Sequence, residues 1–145
     1  MAYNVIDIAN KILARATDSE FDGLVCNMKL QKMLYYMQGF HLAYFDTPLF
    51  DEEIEAWMYG PVVPSVYDNF KINGNAGIEY TGDVITLSPE EEALFNEVYR
   101  VYSEFSAIGL MNRTHSESPW QSVDTGVGSI IPKETMHAFF KTRLQ

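Results

Sequence analysis

The pattern of apolar and polar positions is clearest between residues 29 and 45, where it follows the period of an α-helix. On a wheel of about 100° per residue, eight side chains fill one arc of about 140°. They are Leu30, Met33, Leu34, Met37, Phe40, His41, Tyr44 and Phe45. Gly39 and Ala43 lie on another flank, and their small size would let a neighbouring element approach closely. The pattern predicts one long packed helix, with His41 as a hydrogen-bonded core residue and not a metal ligand or a base.

The same helix carries three polar residues close to its beginning. Lys29, Gln31 and Lys32 fall in the run MKLQKM. We expect them to serve mainly in packing and in local ion pairs.

Helical periods recur in five further segments. Asn4 is a candidate N-cap for a helix over 5–16, and Pro64 suits the first position of a helix reaching residue 70. Ser88 and Glu91 form a capping box before an apolar stripe that ends near residue 105. Acids in that first turn also favour the helix dipole, which gives Glu91 and its neighbours a structural role. Shorter helices are predicted over 107–114 and at the C-terminal end.

Two segments change to the period of a β-strand. In residues 54–59, Ile54, Ala56 and Met58 alternate with Glu55, Trp57 and Tyr59, so we expect the two sets on opposite faces. Residues 78–87 place Gly82-Asp83 between two β-rich runs, which predicts a hairpin that pairs or packs with the 54–59 strand.

These elements predict a mainly α (α+β) fold. We expect about five to six helices with a small antiparallel sheet, formed by the strand near 54–59 and the hairpin 78–87, inserted in the middle. At 145 residues with 47% apolar composition, the chain is expected to form a single domain over 1–145.

Composition and charge narrow the class of protein. Cys26 is the one cysteine, which excludes an internal disulfide and a multi-cysteine zinc site. The sequence has no run of about 20 apolar residues and no signal-peptide pattern, so a cytoplasmic protein without a membrane partner is expected. The net charge is −10, and residues 46–104 hold thirteen acidic residues against Lys71 and Arg100. Such a block repels phosphate backbones and favours basic partners, although a solvated face explains it equally well.

Enzyme motifs are nearly absent. The three histidines show no metal-ligand spacing, and Gly126-x-Gly128 follows no strand that would suggest a dinucleotide site. The acids of residues 51–55 fit an exposed charge run better than a catalytic pair. We therefore predict no catalytic residues, no cofactor and no metal.

The segment 115–120, HSESPW, allows two interpretations. In one, His115 and Trp120 line a pocket or a partner contact. In the other, Trp120 pins the loop to the core while His115 hydrogen-bonds the turn, and Pro119 fixes the local backbone direction in either case. The structural interpretation is slightly favoured.

Three blocks of the sequence resemble a known family. The runs MKLQKMLYYMQGFHLAY, PLFDEEIEAWMYGPVVPSVYDNF and THSESPW are similar, in this order, to three blocks of the SocA-like antitoxin domain, called Panacea, which also covers GepA-type phage-associated proteins. The similarity extends from about residue 5 to residue 140.

This resemblance implies an antitoxin of a bacterial or phage type II-like toxin–antitoxin pair. Such a protein neutralises a cognate toxin, encoded by an adjacent gene, through direct protein binding. Nucleic-acid binding by this chain alone is not expected, and a homodimer is left open. The expected partner-binding residues are Glu55, Trp57, Tyr59, Tyr67, His115 and Trp120, because rigid rings beside acids make effective protein-binding surfaces. Equally, Trp57 and Tyr59 would be core residues if they cover the long helix.

Two other functions remain as alternatives. One is a small hydrolase-like enzyme centred on His115, with Asp68 or Glu117 as its carboxylate partner. The other is an acidic decoy that mimics nucleic acid through residues 46–104.

Overall fold

The structure is a computed structural model that describes residues 2–19 and 23–144. Within these residues the chain forms seven α-helices and five short strands, so the predicted mainly α fold with a small antiparallel sheet is confirmed. The helices are α1 (Val5–Asp18), α2 (Asn27–Phe45), α3 (Pro64–Phe70), α4 (Pro89–Tyr102), α5 (Ala107–His115), α6 (Ser118–Gln121) and α7 (Lys133–Lys141). The strands are β1 (Val25–Cys26), β2 (Ile54–Trp57), β3 (Gly60–Val62), β4 (Gly77–Ile78) and β5 (Ile130–Ile131). A short 3-10 turn, Lys71–Asn73, follows α3.

Helix α2 is the centre of the molecule. Helices α1, α4, α5 and α7 all pack against it, and the core extends from Val5 to Phe140. The single apolar arc predicted for this helix was too narrow, since Tyr35, Tyr36 and Lys32 are also fully buried, whereas Tyr44 is exposed. A helix surrounded on all sides shows no single apolar stripe.

The predicted close approach beside Gly39 is confirmed. A Cβ atom at Gly39 would lie only 2.1 Å from Cε2 of Phe140. The Phe140 ring of α7 therefore rests directly on the backbone of α2. Substitution by alanine would displace this ring, because dense cores accept added atoms poorly.

The predicted strand at 54–59 exists, but it ends at Trp57, and the chain then turns back to form β3. β2 pairs antiparallel with β3 on one side and with β5 on the other. Gly60-Pro61 begins the partner strand β3. Met58 and Tyr59 therefore form the two-residue turn of the β2–β3 hairpin, in which Trp57 pairs with Gly60. We call this turn the hairpin tip. Ile54 and Ala56 are buried as predicted, whereas Met58 does not share their face and is 66% exposed.

The predicted hairpin over 78–87 is wrong. Ile78 pairs with Val25 in a separate two-stranded sheet, and residues 79–88 contain no strand. Side chains from two helices bind the backbone of this segment instead. Thr17 Oγ1 accepts from Tyr80 N, Lys11 donates to Ile85 O, and Glu92 accepts from Leu87 N. These long-range bonds satisfy groups that a hairpin would have paired.

The predicted helix starts are confirmed. The Asn4 side chain accepts from Ile6 N, and the reciprocal bonds of the Ser88–Glu91 capping box are both present. His41 is a core histidine as expected, with Nδ1 2.6 Å from Thr47 O and Nε2 2.6 Å from Glu91 Oε2. Helices of the described residues are too short or too polar to span a bilayer.

Candidate functional site

The structure connects five of the six predicted site residues by direct contacts beside the β2–β3 hairpin, and four of these five carry rings. We call Trp57, Tyr67, His115 and Trp120 the aromatic cluster. The Trp57 and Tyr67 rings meet edge to face, with centroids 5.1 Å apart. The His115 and Trp120 rings stack at 4.0 Å, and Trp120 Nε1 donates to Trp57 O at 2.9 Å. Elements β2, α3, α5 and α6, which are distant in sequence, thus converge at one place.

Glu55 fixes the orientation of this cluster. Its Oε1 accepts from Trp57 Nε1 at 2.9 Å and from Gly128 N at 2.8 Å. The carboxylate therefore holds both the Trp57 ring and the loop before β5. The sequence identified Glu55 as a site residue but gave no indication of this bracing role.

Tyr59, the sixth predicted residue, lies at the hairpin tip and outside the aromatic cluster. It is 61% exposed, next to the equally exposed Met58. Ile130, which pairs with Glu55 across the sheet, and Val127 in the preceding loop are exposed as well. The sheet thus presents exposed apolar side chains beside half-buried rings, and Tyr59 does not cover α2 as a core residue would.

A chain of hydrogen bonds attaches the hairpin to α2. Gln31 Oε1 accepts from Val63 N at 2.9 Å, and Gln31 Nε2 donates to Asn27 Oδ1 at 2.8 Å. Asn27 Nδ2 in turn donates to Tyr67 O at 3.1 Å. Because Gln31 and Asn27 are buried, these bonds fix the exit of the hairpin and the position of α3.

Glu117 is a buried carboxylate whose partners the sequence did not reveal. It accepts from the hydroxyls of Tyr35 and Tyr36, each at 3.0 Å, while Arg113 Nε lies 3.8 Å away. Burial raises the pKa of Glu117, and the bonds from the two tyrosines oppose that rise. The contacts join residues more than 80 positions apart, so no local pattern could have indicated them.

The structure does not assemble the dyad that the hydrolase alternative requires. Glu117 is occupied by the two tyrosines, and Asp68 is exposed and pairs with Lys71 at 3.7 Å. Among the described residues, Nε2 of His115 is buried without a hydrogen-bond partner. The structural interpretation of HSESPW agrees with these contacts: Trp120 pins the segment to β2, and the His115 carbonyl oxygen accepts from Gln121 Nε2 at 2.8 Å, while the His115 ring stacks on Trp120.

The acidic block is partly neutralised inside the molecule. Basic side chains from outside residues 46–104 pair with its acids, in the pairs Lys133–Glu53, Lys11–Glu92, His41–Glu91, His137–Asp46 and Lys141–Asp46. In the described parts of the chain, no group of three or more His, Cys, Asp or Glu side chains is arranged to hold a metal ion.

Comparison with known proteins agrees with the sequence blocks. Residues 30–121 match the family model described as "Antitoxin SocA-like, Panacea domain". Over 135 residues the chain is 33% identical to Antitoxin SocA of Caulobacter vibrioides (strain NA1000 / CB15N), covering 84% of this chain and 71% of that protein. No solved structure matches the chain. The chain belongs to the SocA-like antitoxin family and contains its Panacea domain.

Proposed function

We propose that the protein is an antitoxin that neutralises a cognate toxin by direct protein–protein binding, without catalysing a reaction. The observation that carries this proposal is the family membership, since the matched region includes β2, β3, α3, α5 and α6, which build the candidate site. The toxin is encoded by an adjacent gene, and the two proteins meet in the cytoplasm.

The proposed binding surface is the hairpin tip together with the aromatic cluster and Glu55. Exposed apolar side chains next to braced rings are typical of protein interfaces, where aromatic residues and methionine are enriched. Trp57 is held by Glu55, Tyr67 and its own backbone pairing, so little side-chain freedom is lost when a partner binds. Met58 and Tyr59 supply the accessible contact area.

A co-expression experiment tests this function. Products of the neighbouring genes are expressed from one plasmid and this chain from a second. We expect one product to arrest growth, growth to recover when the chain is present, and the two proteins to co-purify. Absence of any toxic neighbour product that the chain neutralises would contradict the antitoxin proposal. Size-exclusion chromatography of the chain alone shows whether a homodimer forms first.

The surface is tested by a double variant with a matched control. Met58→Ala with Tyr59→Ala removes two mostly exposed side chains, so the fold should be kept while toxin binding weakens at least about tenfold, or about 1.4 kcal/mol. Tyr44→Ala removes a similarly exposed ring at the end of α2 and should leave binding unchanged. Equal binding by both variants would place the interface elsewhere.

The enzyme alternative makes a different prediction for His115. A catalytic histidine would be needed for growth rescue but not for toxin binding, whereas a contact residue affects both together. We expect His115→Ala to lower rescue and binding in parallel. The decoy alternative predicts that duplex DNA competes with this chain for the toxin, and we expect no such competition because several acids of the block are already paired.

A further inference from the structure

Lys32 is a buried charged residue whose ammonium lacks a partner. It lies in the second turn of α2, and only 1% of the residue is exposed. Within residues 2–19 and 23–144 it makes no hydrogen bond and no ion pair, so the predicted local ion pair is wrong. A buried ammonium is normally paired, because removing it from water is costly.

The other buried polar side chains behave differently. Lys11, Asn27, Gln31, Gln38, His41, Thr114 and Glu117 each make at least one hydrogen bond. The described core therefore satisfies its polar groups as a rule, and Lys32 departs from that rule. A buried polar group without a partner is typical of a binding site and not of a core that serves folding alone.

The ammonium lies under the first residue of β3. A Cβ atom on Gly60 would be 2.7 Å from Cε and 3.4 Å from Nζ of Lys32, and 3.0 Å from Thr114 Oγ1. Gly60 also has a φ of +115°, which other residues rarely adopt. Only a glycine at this position allows the hairpin to cross so closely above the Lys32 side chain.

This location is inside the candidate site. Gly60 directly follows the exposed tip and pairs with Trp57. Trp57 O binds Trp120, which stacks on His115, and Nε2 of His115 is buried without a hydrogen-bond partner in the described residues. Two unsatisfied nitrogen atoms thus occur on elements that meet at the same hairpin.

The titratable groups around Lys32 do not neutralise it. The segments that surround it carry Cys26, Glu55, Tyr59, Tyr67, Arg113, His115 and Glu117. The two carboxylates are engaged elsewhere, Glu55 by Trp57 and Gly128, and Glu117 by Tyr35 and Tyr36. Burial lowers the pKa of Lys32 to about 8, with a smaller opposing effect of Cys26, so at neutral pH the side chain still carries its charge.

We propose that the Lys32 ammonium, beneath Gly60 at the junction of β3 and α5, receives a carboxylate of the bound toxin. This inference rests on the proposed antitoxin function and assigns one specific contact to it. A carboxylate supplies both the opposite charge and the hydrogen-bond acceptors that this chain does not provide. Trp57 pairs with Gly60, Tyr59 precedes Gly60 and Trp120 donates to Trp57 O, and these rings suit a polypeptide better than a free anion. Because Gly60 covers Lys32, the contact forms as the Met58–Tyr59 tip yields on docking.

The closing experiment follows Lys32 directly by NMR, using the full chain with isotope-labelled lysines. Lys32→Met assigns its signal, and the probe is the neighbouring gene's product that this chain neutralises. We expect the pKa of Lys32 to be near 8 in the free chain and to rise by about 2 units or more in the complex, because the carboxylate stabilises the charged form. Binding at pH 9 should accordingly take up close to one proton, which calorimetry in two buffers measures.

Affinity measurements complete the test. Lys32→Met should weaken toxin binding at least about tenfold, whereas Lys29→Met, a change in the same helix, should alter it less than twofold. An unchanged pKa in the complex, together with equal affinity of wild type and Lys32→Met, would overturn the inference and leave the antitoxin function intact. A pKa that rises with sodium acetate but not with the toxin would also overturn it, since the site would then serve a small acid. Failure of the wild-type chain to bind any neighbour product would instead remove the proposed function.

Discussion

Two buried lysines show how differently the two sides of α2 are built. On one side, Lys11 of α1 is 8% exposed, and its Nζ donates to Glu92 Oε2 and to Ile85 O, both at 2.9 Å. On the other side, Lys32 is buried still more deeply, and its ammonium has no such partner in the described residues. A buried lysine thus links two segments through hydrogen bonds in one region and is an unpaired charge in the other.

The difference extends beyond the two lysines. Around α1 and α4, Glu91 accepts from Tyr3 and Ser88 and contacts His41, so these polar groups are satisfied. Around the β2–β3 hairpin, His115 Nε2 is unsatisfied and the tip is exposed. Proteins tolerate unfavourable local features mainly where function requires them. The comparison therefore separates a region in which these polar groups are paired from the region of the proposed binding surface.

The largest effect is expected for Lys11→Met. The substitution leaves Glu92 and Ile85 O without their cation, so the free energy of unfolding should fall by about 3 kcal/mol at pH 7. Urea denaturation followed by circular dichroism measures this change. A loss below about 0.5 kcal/mol, the level typical of exposed pairs, would show that the link is weaker than its geometry indicates and would weaken the comparison.

Lys32→Met should act in the opposite direction. Replacing an unpaired buried ammonium by an apolar side chain of similar length should raise the free energy of unfolding by about 1–3 kcal/mol at pH 7. The folded-state pKa of about 8 lies below the ordinary 10.5. The unfolded state thus binds more protons between these values, and the wild type gains stability as pH rises through that window.

The advantage of Lys32→Met should consequently shrink between pH 8 and pH 10.5, the interval set by the two pKa values. Thermal unfolding of both proteins at pH 7 and near pH 10 measures the trend. Destabilisation by Lys32→Met at neutral pH would mean that the ammonium has a favourable role in the free chain, and the contrast with Lys11 would disappear.

The smallest expected effect is the loss of stability at low pH through protonation of Glu91. Burial tends to raise the pKa of Glu91, but hydrogen bonds from Tyr3, His41 and Ser88 outweigh it and lower the pKa to about 2. The stability from this group is present above the ordinary pKa of 4.5 and is lost as pH falls towards 2. At pH 4 the loss should be just under about 1 kcal/mol, measured as the difference in unfolding free energy between wild type and Glu91→Gln at pH 7 and at pH 4. A difference that does not change with pH would contradict this assignment.

Much of the helical frame could be predicted from local signals. Asn4, Pro64 and the Ser88–Glu91 box mark helix starts because caps act within a few residues. The hairpin predicted over 78–87 failed because contacts between distant segments outweigh the local signal. Its β-rich runs favour a hairpin locally, but Thr17, Lys11 and Glu92 bind its backbone from helices that are distant in sequence.

The candidate site was only partly predictable, because it also combines local sequence blocks with contacts between distant segments. The rings and Glu55 were recognisable from the blocks that contain them, whereas the stacking of His115 on Trp120 and the bond from Trp120 to Trp57 depend on four elements meeting. Lys32 was expected to pair locally because sequence position alone does not indicate depth of burial.

By itself, the sequence determined most of the helices, their caps and the similarity to an antitoxin family, because these depend on short-range patterns and on residue identity. Only the tertiary structure decided which charges are neutralised. Whether an ammonium meets a carboxylate depends on the packing of segments far apart in the chain, and that packing pairs Lys11 but leaves Lys32 beneath Gly60.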